Sequence, residues 1–224
     1  AFDGCSSITN FVMPRSVTHI EDGMFYGCVR MTNIIIPEGV TVIGNSVFSG
    51  CKSLTSVTIP YGVTSIEPCT FMNCAGLTNI IIPDSVINIG YHAFEGCTHL
   101  TNIILPRGMT NIGYQAFIGA GLISVNIPEN VISIDDNAFS ECSNLINLVI
   151  PNSVTNISNY AFSGCKSLTC VNIPSSVKRI GDYAFDGCSR LTNVIFPIGL
   201  TNIGHGVFRG CTNLPPNQQN IGGL

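Results

Sequence analysis

Eleven cysteines, four histidines and thirteen carboxylates are the side chains of this 224-residue chain that could do chemistry. Nine of the cysteines (Cys5, Cys28, Cys51, Cys74, Cys97, Cys142, Cys165, Cys188, Cys211) return every 23 residues, apart from one gap of 45. Stacked as a ladder at about 4.8 Å, neighbouring Cα atoms would fall within disulfide range. In-register side chains point the same way, however, so their Cβ atoms also stand about 4.8 Å apart, not the roughly 3.8 Å a disulfide prefers. The spacing therefore predicts buried free thiols that act as small hydrophobes. Zinc needs four ligands in a tetrahedron, whereas a ladder offers a line, and no C-x-x-C occurs. Cys69 and Cys170 stand off the ladder, and Cys170 is expected to face solvent on the sheet.

The histidines, His19, His92, His99 and His205, occupy four different repeat positions and are expected at the surface, sharing no face with a carboxylate or a nucleophile. Asp135, Asp136 and Glu141 form one acidic cluster, whose spacing fits a solvated turn and no calcium loop. No nucleophile elbow, zinc-helix motif or phosphate loop appears. The chemistry-bearing residues thus predict no enzyme, no metal and no cofactor.

What positions these residues is a repeat. Prolines at 14, 37, 60, 83, 106, 128, 151, 174 and 197 mark nine copies, all spaced by 23 except one interval of 22. Counting from the leading residue of each copy, the fourth runs Leu77 to His99. Positions four to six (Ile34-Ile35-Ile36, Ile103-Ile104-Leu105) are short and β-branched, as a stacked parallel strand requires, with four and six inward and five outward. Proline at seven cannot donate a ladder bond and turns the chain away. A second apolar pair, such as Val63 with Ile66, predicts a short strand on the opposite wall. Ala-Phe at seventeen and eighteen sits in a stretch too short for a helix and is expected to make one helical or 3₁₀ turn. The phenylalanines from Phe25 to Phe208 would then stack as an aromatic spine.

With 10% charged and 45% hydrophobic residues, the chain is too apolar for disorder, yet it holds no apolar run long enough to span a bilayer. Nine basic residues scattered over several repeat positions, with a net charge of −4, argue against nucleic acid.

The pattern L-T-N-I-x-I-P-x-x-V-T-x-I-G-x-x-A-F-x-G-C-x-x resembles the BspA-like, treponemal-type leucine-rich repeat over residues 1–214. The resemblance implies a repeat solenoid: a right-handed leucine-rich-repeat superhelix, mainly parallel β, with its sheet on the concave side. Members of this group are mostly surface or secreted proteins of bacteria and parasitic protists, and some are adhesins toward host matrix proteins. The implied function is a protein-binding module at the cell surface, with a host matrix or serum protein as partner; a ligand-free structural spacer is the alternative. The fifth copy departs from the pattern: Gly119-Ala120-Gly121 lacks the cysteine and one residue, which predicts an irregularity near the middle.

The predicted partner-binding surface is the concave sheet. Its candidate residues are Asn33, Ile35, Thr58, Asn79, Ile81, Asn102, Ile104, Asn126, Val149, Asn172 and Ile195, beside a threonine row at position two. A long exposed apolar stripe suits a protein partner, although β-branched residues on a strand surface also support the sheet laterally. The chain is expected to form one array: a half repeat at 1–7, nine repeats over 8–213 and a tail at 214–224. It starts in mid-repeat, so a fragment of a longer protein is expected, with any self-association running end to end through Phe2, Ile8 and Phe11. Pro215-Pro216 forbid a tenth strand, and the polar Asn217-Gln218-Gln219-Asn220 are expected to lie over the last coil as a cap.

Overall fold

The computed structural model describes residues 1–219 and shows a parallel β-solenoid in which each repeat is one coil. Each coil has three walls. The first carries the three-residue strands Asn10–Val12, Asn33–Ile35, Ser56–Thr58, Asn79–Ile81, Ser124–Asn126, Asn147–Val149, Cys170–Asn172 and Asn193–Ile195. All pair in parallel and in register, as Ser56 with Asn79 and Thr58 with Ile81. Alternation works as the β-branched pattern requires: Ile80 and Ile82 are buried while Ile81 between them is exposed. The second wall consists of two-residue strands, seven of them forming one sheet from Ser65–Ile66 to Asn202–Ile203.

The third wall corrects an expectation. No helical or 3₁₀ turn forms at Ala-Phe; the only helix among the described residues is Pro216–Gln219. The N–H groups alternate instead. In coil four, Ala93, Glu95 and Cys97 donate three residues back to Gly90, His92 and Phe94, while His92, Phe94 and Gly96 donate at 2.7–3.1 Å to Tyr114, Ala116 and Ile118 of the next coil. The cause is backbone handedness. His92 and Gly96, at positions 16 and 20, have φ of 54° and 67°, and this left-handed pair recurs along the solenoid, which a right-handed helix cannot accommodate.

Between the walls runs the core. Phe25, Phe48, Phe71, Phe94, Phe117, Phe139, Phe162, Phe185 and Phe208 stack with ring centroids 5.2–5.8 Å apart and planes within 15° of parallel. This offset stacking adds to the gain from burying each ring. Phe2 continues the column at 5.6 Å from Phe25, and Phe2, Ile8 and Phe11 are half-buried. At the other end the tail does lie over the last coil: Gln218 Nε2 donates to the Val194 carbonyl at 3.1 Å, and the Val194 N–H donates to Gln218 Oε1 at 3.2 Å. Asn220 lies outside the described residues.

The irregularity expected in the fifth coil is local to the first wall. Asn102–Leu105 form no strand, and none of their backbone groups makes a backbone–backbone hydrogen bond. Just downstream the shortened corner is tight: a Cβ on Gly121 would collide with the Thr98 carbonyl of the coil before.

Candidate binding face

The ladder cysteines show how closely this backbone fixes its side chains. Eight of them from Cys28 to Cys211 are buried, and each thiol donates at 3.0–3.3 Å to a backbone carbonyl one coil back, that of a spine phenylalanine for all but Cys28, which reaches Phe2. The thiols are therefore hydrogen-bond donors as well as small hydrophobes, a role that spacing alone does not reveal. Burial pushes the thiols of Cys51, Cys97 and Cys142 up to about 12, which keeps them protonated and poor nucleophiles. All eleven cysteines are free; Cys170 is exposed on the sheet wall.

His19, His99 and His205 are exposed, but His92 is half-buried and its Nδ1 meets Glu95 Oε2, so the expectation that no histidine shares a face with a carboxylate fails there. The left-handed turn folds position 16 onto position 19, a contact no linear spacing rule predicts. The acidic cluster separates as well. Asp135 accepts from Asn111 Nδ2, Asp136 accepts from the Asn159 N–H, and Glu141 packs against Gly164. Among the described residues no three His, Cys, Asp or Glu side chains stand together to hold a metal.

The predicted partner-binding residues all lie on the first wall and all are exposed: Asn33, Ile35, Thr58, Asn79, Ile81, Asn102, Ile104, Asn126, Val149, Asn172 and Ile195. The apolar members of their row, from Val12 to Ile195, are 54–81% exposed. Beside them Thr32, Thr55 and Thr78 donate their hydroxyls to the threonine carbonyl of the preceding coil, so this row is anchored. Two apolar residues outside that set extend the stripe: Ile123 and Ile146 replace threonine at position two and are exposed. Their shared repeat position was the signal.

The face is not one unbroken sheet. A four-stranded block (coils one to four) is followed by two-stranded blocks (six and seven; eight and nine), with coil five unpaired. Grooves cross this wall. One of about 650 Å³ runs past Val12, Arg15, Ile35 and Glu38, and a neighbour of about 310 Å³ lies where Asn33 with Ser56 is the one registered pair between coils two and three. A slot of about 250 Å³ lies between coils five and six, lined by Asn102, Ile103, Ile104, Leu105, Ser124 and Asn126.

Charge is sorted by wall. No residue at positions two, three or five is charged in any of the nine copies. Ten of the thirteen acidic residues fall at positions 14 to 20, on the third wall, so a partner on the sheet wall meets neutral side chains.

A family profile described as the BspA-type leucine-rich repeat region matches residues 1–121, 64–189 and 110–217. Among solved structures, a leucine-rich repeat protein from Bacteroides ovatus is 28% identical, with a TM-score of 0.63 over 95% of this chain and 73% of its own. A leucine-rich cell surface protein from Faecalibacterium prausnitzii is 27% identical, with a TM-score of 0.53 over 96% and 74%. The leucine-rich repeat protein of T. pallidum is 27% identical, with a TM-score of 0.50 over 93% and 79%. No protein of curated function matches. No helix among the described residues is long and apolar enough to cross a membrane.

Proposed function

Since the chain belongs to the BspA-type leucine-rich repeat family, we propose that it is a non-catalytic protein-binding module, carried at the cell surface or secreted, that acts as an adhesin toward a host matrix or serum protein. The observation that carries this reading is the uncharged first wall, with Ile35, Ile81, Ile104, Val149 and Ile195 exposed along it. A solvent-facing sheet ordinarily alternates buried apolar with polar or charged residues, and contiguous exposed apolar surface marks an interaction site. The description of the Faecalibacterium prausnitzii relative as a cell surface protein supports the location.

The test is capture of host matrix and serum proteins by the immobilised chain, compared with the double variant Ile81→Lys, Ile104→Lys. Both side chains point to solvent, so the variant should keep its fold by circular dichroism while placing two charges in the stripe. Capture should fall at least about tenfold, as the loss of a binding hot spot does. Unchanged capture would remove the sheet wall from the function, and no capture by the unaltered chain would favour the spacer reading.

A further inference from the structure

The tail of this chain shows how its sheet accepts a side chain. In a parallel strand the N–H and C=O of one residue point to the same neighbour, and the next residue's point to the other. Val194, at position four of the ninth coil, aims both groups beyond the last strand, and the carboxamide of Gln218 meets both, at 3.2 and 3.1 Å. A carboxamide has the donor and acceptor of a peptide unit, so it takes the place of the missing strand.

Ile103 holds the same position in coil five. Where neighbouring strands pair, groups that point forward from the sheet wall are met by the next coil, as Ile59 N–H is by the Ile81 carbonyl, Ile127 N–H by the Val149 carbonyl and Ile173 N–H by the Ile195 carbonyl. Ile103 and Leu105 have no such partner among the described residues, and theirs is the 22-residue coil. Their main-chain groups face the slot of about 250 Å³ between coils five and six. At its mouth stands Ile104, 77% exposed, with Asn102 and Asn126.

We propose that this slot is the specificity point of the sheet wall: it takes the carboxamide of a Gln or Asn side chain presented by a polypeptide partner, while apolar neighbours of that residue pack on Ile104 and Ile81. The proposal rests on the sheet-wall reading above. It adds what the partner must present. An apolar side chain would leave the main-chain groups of Ile103 unpaired, and a carboxylate brings no N–H for the Ile103 carbonyl. The uncharged surroundings give a carboxylate no countercharge either.

The experiment is a ¹⁵N chemical-shift titration of the whole chain with the peptide Ac-Val-Gln-Val-NHMe, and with the same peptide carrying Met or Glu at its centre, each to about 10 mM. The glutamine peptide should shift the amides of Ile103, Leu105, Ser124 and Asn126 at least about fivefold more than the other two peptides. Equal shifts with all three, or none, would overturn the proposal. A variant with one residue inserted after Ala120 restores the 23-residue coil and should lose the glutamine-specific shifts; retention of those shifts would place the site elsewhere and overturn it. Should the insertion fail to fold, the three peptides on the unaltered chain decide. Because capture by Ile81→Lys, Ile104→Lys is read on whole host proteins, the slot can fail while the sheet-wall reading stands.

Discussion

The third wall and the first wall of this solenoid carry opposite signals. Apart from the phenylalanine at 18, positions 16 to 20 are mostly Ala, Gly and polar residues of little β-propensity, yet their backbone ladder runs unbroken from Phe2 to Arg209, with three bonds at each step between full coils. The first wall is rich in isoleucine and valine, and it is interrupted at coil five and again between coils seven and eight. Side-chain preference therefore does not decide continuity along the stack. At coil five the two walls lie differently relative to the lost residue. The fifth coil is shortened after Gly119-Ala120, downstream of its own third wall and just upstream of the sixth first-wall strand. The third wall keeps its register and the first wall absorbs the mismatch. Continuity has a cost, since Ser46, Cys69, His92, Gln115, Asn137, Tyr160 and Tyr183 hold a left-handed φ of 54–57° at about 1–2 kcal/mol each. The interchain-like bonds to the next coil and the phenylalanine between them offset it.

The largest expected effect separates the two walls directly. Phe117→Ala empties a fully buried site on the third wall and should destabilise by about 3–5 kcal/mol, whereas Ile104→Thr on the first wall should stay within about 0.5 kcal/mol. Denaturant melts of the two variants measure this. Comparable losses would break the comparison.

Alkaline pH should sharpen it next, because the ladder thiols belong to the third wall. Burial raises the folded pKa values of Cys51, Cys97 and Cys142 from 9.0, so their contribution is intact below pH 9 and is lost as pH rises toward about 12. One pKa unit is about 1.4 kcal/mol, so Cys51, Cys97 and Cys142 together should withdraw about 4 kcal/mol by pH 10. Denaturant melts from pH 8 to 10 test this, and their replacement by alanine or serine should flatten the profile. The same reading requires that thiol titration without reductant find few reactive groups in the folded protein and all of them after denaturation.

Much of this was legible in the sequence, and the reasons are particular. Ile80 and Ile82 inward with Ile81 outward follows from a period of two, and the phenylalanine column follows from one fixed offset per repeat. The third wall was not legible. Glycine at position 20 signals a left-handed turn in most coils, but position 16 is glycine only in the first and last (Gly23, Gly206) and elsewhere takes Ser, Cys, His, Gln, Asn or Tyr, a mixture that does not announce a positive φ. The pairing of His92 with Glu95 follows from that hidden turn and was missed with it. The broken first wall was half legible: the 22-residue interval marks the break at coil five, whereas the break between coils seven and eight falls between regular 23-residue copies. On the sheet wall, Ile123 and Ile146 were hidden by treating position two as threonine throughout.

Amide exchange tests the smallest and most local difference, since it perturbs nothing. The N–H groups of Phe94, Phe117 and Phe139 donate at 2.7–2.9 Å to the next coil beneath a buried ring, so they should open only with the whole array. Those of Ile103 and Leu105 have no backbone partner, and Ile104 between them is exposed, so water needs no unfolding to reach them. Val57, at the same position in coil three, serves as the internal reference because its side chain is equally buried and its forward neighbour is the registered strand Asn79–Ile81. Exchange at Ile103 and Leu105 should run on the order of 100-fold or more faster than at Phe94, with Val57 slow as well. If Ile103 and Val57 exchange together, the sheet closes across coil five in solution. The two walls would then be equally continuous, and the slot would lose the free main-chain groups on which a partner's carboxamide depends.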